Sequence, residues 1–332
     1  MSPVTRRCWC GTNSFEPFGG DYLRCTHCET LVGQAGLSDG ETRVLDDFHD
    51  YYGKRYWLDH QNEDLGLPDI HARARLDLPE RCADWLSLLL RYRRPPARIL
   101  EVGAGHGAYT ALLQWTGFDA TALDLSSWTA DFARRRFGIR YLVGPVEEQD
   151  LEAASFDVIV ANDVLEHLAT PRVTVAEWMR LLKPAGIFVF QTPEYVPGRS
   201  YAELVAGNDP FLQHMGLAGR EHLYLFSRHS LARLLGEVGL DHLGFAEPVY
   251  SYDMLGVTSA EPLATSDDDA DGILGAAPTA PLVLGLLDAR DAWHISERDR
   301  ADRLVVIQQL DAALREAKAP QSTSRWRRRN NP

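Results

Sequence analysis

No run in this 332-residue chain comes near the roughly 20 consecutive apolar residues that span a bilayer. The first residues carry no apolar core of the kind a secretory signal needs, so the expected location is cytoplasmic. Positive charge is short as well. Lys and Arg number 34 against 47 Asp and Glu, a formal net charge of −13. That balance opposes sequence-independent attraction to nucleic-acid phosphates, and nucleic acid is not an expected partner. A basic patch does occur at Arg325-Trp-Arg-Arg-Arg329, where it reads as a solvated end of the chain. Cysteine is scarce and unevenly spread. Of five, four fall within the first 28 residues, as Cys8-Trp-Cys10 and Cys25-Thr-His-Cys28, and Cys82 stands alone. In a reducing compartment two such pairs read as a metal site before they read as disulfides. His27 could take the place of one thiolate.

What is present is ordinary for a well-packed protein, with 45% apolar and 24% charged residues. The length points to one large domain with appendages. Composition divides the chain into a cysteine-bearing head at 1–35, an aromatic-rich helical cover at 36–80 and an α/β domain at 81–259. A flexible acidic loop at 260–281, a helical extension at 282–318 and a disordered basic tail at 319–332 follow. The acids Asp267, Asp268, Asp269 and Asp271 in that loop do not have the spacing of a calcium-binding hand.

The densest signal is Ile99-Leu-Glu-Val-Gly-Ala-Gly-His-Gly107, followed by Ala122-Leu-Asp-Leu125. An apolar run ends in Glu101 and opens into Gly103, Gly105 and Gly107, where a backbone can turn tightly and approach a ligand with no Cβ in the way. Asp124 ends the next apolar run, at the distance where an acid can accept from ribose hydroxyls. Beyond this the pattern alternates. Strands are expected at 98–102, 120–125, 139–143, 156–161 and 186–191, separated by helices at 109–115, 129–137 and 173–182. Another helix is expected before the motif at 81–92, and one more at 229–237. Helices between strands imply a mostly parallel sheet covered on both faces. The runs 240–247 and 250–258 are too close for a crossover helix, so they are expected to be antiparallel. Residues 296–317 read as a helix with Leu304, Ile307, Leu310 and Leu314 in one apolar stripe. That stripe could pack on the parent domain or pair with a second subunit in a homodimer.

Taken in order, these motifs resemble the class I S-adenosylmethionine (SAM)-dependent methyltransferases. The resemblance covers about residues 80–258. It includes Phe156-Asp-Val-Ile-Val-Ala-Asn-Asp-Val-Leu-Glu-His167, similar to the family's fourth-strand signature, and Leu182-Lys-Pro-Ala-Gly-Ile187, similar to the turn before its fifth strand. It implies a Rossmann-like seven-stranded sheet, mostly parallel with the last strand antiparallel. It also implies SAM as cofactor. Glu101, Gly103 and Gly105 would then take its amino-acid end, and Asp124, with Leu125 beside it, the ribose. Pro145, Val146 or Glu147 would lie near the adenine, and Asn162 and Asp163 would face the methionyl group. Gly107 either contacts the cofactor or serves helix–strand packing. A nicotinamide dehydrogenase is the competing reading of the glycines, but its Gly-x-Gly-x-x-Gly spacing differs.

Transfer of a methyl from a sulfonium needs alignment and desolvation above all, yet an alcohol acceptor must also lose a proton. Two candidates for that proton stand out. His167 follows the fourth strand, with helix capping or packing on the cofactor as its plainer role. His222, oriented by Glu221, lies in Arg220-Glu-His-Leu-Tyr-Leu-Phe-Ser227, with capping of the helix near Ser227 as its alternative. The head resembles the zinc-ribbon units of bacterial sugar and cell-surface-pathway methyltransferases. That likeness implies a structural zinc on Cys8, Cys10, Cys25 and Cys28. It also points to a small-molecule acceptor, a sugar methylated on oxygen. Alternatives are C-methylation of a deoxysugar, O-methylation of another secondary metabolite, an RNA methyltransferase gripping nucleic acid with the head, and a non-catalytic scaffold.

Overall fold

The structure is a computed structural model describing residues 6–34, 37–38, 40–215, 220–266, 270–274 and 278–318. The acids Asp267, Asp268 and Asp269 and the basic tail at 319–332 lie outside the described residues. The chain divides into two compact units, Met1–Leu287 and Asp288–Pro332. No helix among the described residues is long and apolar enough to cross a membrane.

The first unit holds two sheets. The small one is built from β1 (Phe15–Gly19), β2 (Tyr22–Cys25) and β3 (Leu31–Gly33), and its fourth strand comes from far along the chain. The large one contains β4 (Arg98–Val102), β5 (Asp119–Asp124), β6 (Tyr141–Val143), β7 (Phe156–Asn162) and β8 (Leu182–Pro193). The two-residue strand β9 (Tyr224–Leu225) completes the small sheet, and β10 (His242–Ala246) and β11 (Asp253–Ser259) complete the large one. The large sheet runs β10-β11-β8-β7-β4-β5-β6, with β11 antiparallel to both neighbours and the other pairs parallel. This is the expected seven-stranded sheet with its reversed last strand.

The central strands read as near-continuous apolar runs because both of their faces are covered. Ile99, Val158, Ile159, Phe188 and Val189 are fully buried between helices Ala83–Leu90 and Ala108–Trp115 on one side and Pro171–Leu181 and Arg228–Glu237 on the other. The parallel strands all end at one edge of the sheet, the edge where open α/β sheets place their ligands.

Several elements differ from expectation. β8 begins at Leu182, ahead of the Lys-Pro-Ala-Gly turn rather than after it, because Phe156 pairs back to Leu182 across a register shift. The expected helix over 81–92 is shorter, Ala83–Leu90, and is entered through a wide π-helical turn, Leu78–Cys82. The cover contains a 14-residue wide helical run, Tyr51–Asp64, broken at Gly53, followed by helix Ile70–Asp77. The acidic loop contains a short helix, Ala270–Leu274, and the C-terminal helix begins at Ala280, well ahead of its stripe. That start is explained by Ala280, Val283 and Leu287, which are buried in the core of the first unit.

Candidate functional site

The glycine loop sits where β4 ends. Gly103, Gly105 and Gly107 all have positive φ (70°, 51° and 78°), which L side chains rarely adopt. Each is also hemmed in. A Cβ on Gly103 would lie 2.4 Å from Val164, and one on Gly107 would lie 2.7 Å from Ile139 and 2.9 Å from Ala133. Gly107 is thus closely packed between Ile139 and Ala133. Asp124 closes the loop from β5: its carboxylate accepts from the backbone N–H of Gly105 (2.9 Å), Leu125 (2.6 Å) and Ser126 (3.3 Å). Glu101, 5% exposed, accepts from the Thr110 hydroxyl, and burial pushes its carboxyl up to about 8. Asn162, at the end of β7, has both its amide oxygen and its amide nitrogen buried without a partner. Orphaned polar atoms of this kind call for a ligand. Asp163 follows with φ 56° and accepts from Arg81 (2.7 Å) and Gln191 (3.1 Å). Past β6, Val146 is buried and Glu147 exposed.

The charged group around Asp77 at this cradle escaped sequence reasoning. Asp77 is 4% exposed, accepts from Arg73 and Arg81, and lies 2.8 Å from His106 of the glycine loop. Burial alone would raise its carboxyl; the His106 bond and the two guanidinium groups instead hold it far below the usual carboxylate range. Trp57 covers the loop, 3.1 Å from the position of a Cβ on Gly105. The cover thus lies directly on the loop.

A second buried cluster adjoins it. Glu221 is 3% exposed; Oε1 lies 3.1 Å from His60 Nε2, and Oε2 accepts from the Tyr51 hydroxyl at 3.3 Å. Burial would raise this carboxyl, but the His60 bond and three nearby imidazoles bring it down to about 2. His60 continues to Asp64, 3.4 Å from Nδ1. His222 is 9% exposed, and its Nδ1 lies 3.0 Å from the His214 carbonyl oxygen. With Nδ1 donating to that carbonyl, Nε2 is the nitrogen left to accept a proton. Its own backbone carbonyl accepts from Tyr22 at 2.7 Å. The helix near Ser227 is capped by the Ser227 hydroxyl, which accepts from the Ser230 N–H, so His222 does not cap it.

His167 Nδ1 lies 2.9 Å from the Tyr52 hydroxyl, and its ring packs edge-on to His222 with centroids 4.9 Å apart. Burial, and then the charge of His222, lower His167 to about 3. An imidazole held that low takes up a proton poorly near neutrality, which counts against His167 as the proton acceptor. Thr192 holds Glu166 at 2.9 Å, and one donor atom each from Glu166, His167 and His222 lies within 4.8 Å of the others. Tyr51, Tyr52 and Tyr56 line this cluster from the cover, with ring centroids 5.2 to 5.9 Å apart.

In the head the four paired cysteines come together. Cys8 and Cys28 sulfurs are 3.4 Å apart, Cys10 and Cys25 are 3.6 Å apart, and all four lie within 4.8 Å. None is in a disulfide. Tetrahedral zinc with thiolate bonds near 2.3 Å needs sulfurs about 3.8 Å apart, so the spacing suits it. The backbone N–H groups of His27 and Cys28 both point at Cys25 Sγ (3.4 Å each), where they would stabilise a thiolate. His27 is not part of the cluster; its Nε2 accepts from Arg233 at 2.8 Å.

The chain belongs to the family of methyltransferase domains, whose model matches residues 74–243. A malonyl-(acyl-carrier protein) O-methyltransferase from Paenibacillus sp. (strain JDR-2) is 33% identical over 188 residues, covering 52% of this chain and 66% of that one. A ubiquinone biosynthesis O-methyltransferase from Bordetella avium (strain 197N) is 27% identical over 173 residues, covering 49% of this chain and 71% of that one. The chain thus spans about two thirds of these relatives. Among solved structures, the CMeT domain of the citrinin polyketide synthase aligns with a TM-score of 0.44 and 21% identity, over 58% of this chain and 56% of that one. The protein is a SAM-dependent methyltransferase.

The ionised Glu221 carries a testable pH dependence. Its folded value near 2 lies below its ordinary 4.5. The stabilisation is therefore complete above pH 4.5 and is lost as pH falls from there toward 2. Chemical denaturation across that range should show the wild type losing about 3 kcal/mol that Glu221→Gln does not lose. Parallel pH slopes for the two proteins would contradict the ion-pair geometry.

Proposed function

We propose that this protein transfers a methyl group from SAM to a hydroxyl oxygen of a sugar, with His222 accepting the proton. The observation that supports this reading most is the buried pair Glu221-His222 beside the glycine loop, faced by three tyrosines suited to stacking on a sugar ring. Bound SAM would supply a methyl on a positive sulfur, which departs as a neutral thioether. Glu101 and the glycines would hold its amino-acid end, Asp124 and Leu125 its ribose, and Asn162, with two orphaned polar atoms, its methionyl side. Val146 or Glu147 would border the adenine. His222 Nε2 would take the acceptor proton while Nδ1 stays on the His214 carbonyl, which fixes the tautomer. Glu221 is a positioning residue: its negative charge would stabilise the imidazolium that forms. We further propose that the cysteine cluster holds a structural zinc, since four sulfur ligands leave no open position for chemistry.

Labelled methyl from SAM should enter nucleotide sugars or cell-surface glycan when these are offered beside bulk RNA and small phenols. In that assay His222→Ala should lower turnover by about 10²–10⁴-fold with SAM affinity unchanged. Label in RNA alone would overturn the sugar reading, and turnover within a few-fold of wild type would remove His222 as base.

Glu101 gives an independent check on the cofactor site. Its carboxyl, pushed up to about 8, is protonated at neutral pH. The ammonium of SAM beside it would draw off that proton. Calorimetry in two buffers of different ionisation enthalpy should therefore show proton release on SAM binding near pH 7. Glu101→Gln should abolish the release and weaken binding about tenfold or more. Proton-neutral binding by the wild type would place the amino end elsewhere.

For the head, metal analysis should find one zinc per chain. Cys8→Ser should lose it, lower the thermal midpoint and depress methyl transfer. A variant without zinc that keeps full activity would show that the head is dispensable to the reaction.

A further inference from the structure

Three donors of the kind that hold metal ions meet here from two distant parts of the chain. Glu166 and His167 lie on the single turn Leu165–His167 that follows β7, and His222 comes from the segment pinned by Tyr22 of the head. One donor atom of each lies within 4.8 Å of the others. His167 Nε2 stands 3.8 Å from Glu166 Oε1. Donors bound at about 2.0–2.2 Å to one ion stand about 3–3.5 Å from each other, so a small inward shift closes the set.

Each donor is also held by its other polar atom. Glu166 Oε2 accepts from the Thr192 hydroxyl at 2.9 Å. His167 Nδ1 lies 2.9 Å from the Tyr52 hydroxyl, and His222 Nδ1 lies 3.0 Å from the His214 carbonyl oxygen. One carboxylate oxygen and two Nε2 atoms are left as the donors. Metal-binding imidazoles and carboxylates regularly have such outer partners, which orient the atom that faces the ion. The local field favours a cation as well. Asp163 and Asp253 crowd the buried Glu166 with like charge, and Arg81 offsets part of it through Asp163. Two imidazole nitrogens and one carboxylate oxygen suit a first-row divalent cation such as Mn²⁺, whereas the all-sulfur cluster of the head suits a softer one. A cation on His222 Nε2 would use the lone pair that the acceptor proton needs, so the two cannot be held together.

We propose that Glu166, His167 and His222 form a second metal site, separate from the cysteines, that takes a divalent first-row cation and, when filled, blocks methyl transfer. The blocking half rests on His222 as proton acceptor; the binding half does not. Mn²⁺ is the probe, because thiolates bind it poorly. Electron paramagnetic resonance of Mn²⁺ titrated into the full chain should show one ion bound per chain, and pulsed spectra should carry modulation from two imidazole nitrogens. Glu166→Gln should weaken binding about tenfold or more. Should that variant misfold, the nitrogen signature of the wild type decides the matter. Saturating Mn²⁺ should lower wild-type turnover about tenfold or more, and Glu166→Gln should need a correspondingly higher concentration for the same loss. Mn²⁺ that stays free, or binds without imidazole nitrogen, overturns the site. Turnover unchanged or raised by bound Mn²⁺ overturns the block. A chain that binds Mn²⁺ through two imidazoles yet transfers no methyl to any acceptor overturns the methyl-transfer reading and upholds the site.

Discussion

The site depends on one seam of backbone pairing between segments nearly 200 residues apart. β3 pairs with β9 through Leu31 opposite Leu225 and Val32 opposite Tyr224. The Gly33 N–H donates to the Leu223 carbonyl at 3.0 Å, and the Leu37 N–H to that of Arg220 at 3.1 Å. Tyr22 adds a side-chain bond to the carbonyl of His222 itself. Glu221 and His222 are therefore held on both sides by the head, and a loop that would otherwise sample many conformations is fixed. On its other side, Leu223 donates its N–H to the carbonyl of Glu166 at 2.7 Å, which ties the same segment to the end of β7. The cysteine cluster is thus a brace for the segment carrying Glu221 and His222.

The large sheet was legible because its information is local. An apolar run bounded by glycine, such as Ile99 to Gly103, marks both a strand and its exit. The alternation with helical stripes then implies parallel order. Where the outline erred, a longer-range contact intervened. β8 extends back to Leu182 because Phe156 offers it a partner, and the C-terminal helix starts early because Val283 and Leu287 find an existing core. Neither partner can be read from the segment it captures.

Legibility of the site followed the same division. Gly103, Asp124 and Asn162 lie at strand ends of one sheet, so spacing alone brings them to one edge. Glu221 and His222 were visible as a pair but not their partners. His60 reaches Glu221 across 161 residues, and Tyr52 reaches His167 across 115. Their segment has wide helical turns and a break at Gly53, so neither a strand nor an α-helical period announced which side chains face inward. The only sign was an excess of aromatics. Asp77, His106 and Arg81 were missed for a different reason: a buried charge pair leaves no periodic trace, and each residue alone resembles an ordinary surface group.

The same seam separates two events in the making of the protein. The four cysteines lie within 21 residues of one another in sequence, and loop closure over so short a span is cheap, so the cluster can assemble early. Its sheet cannot. Leu31 waits for Leu225, and at about 5–20 residues per second a ribosome takes roughly 10–40 s to deliver it. Through that interval β3 presents a bare edge and the apolar faces of Leu31 and Val32 have no cover. A metal that locks the head early would keep this edge short and rigid while the rest of the domain is made.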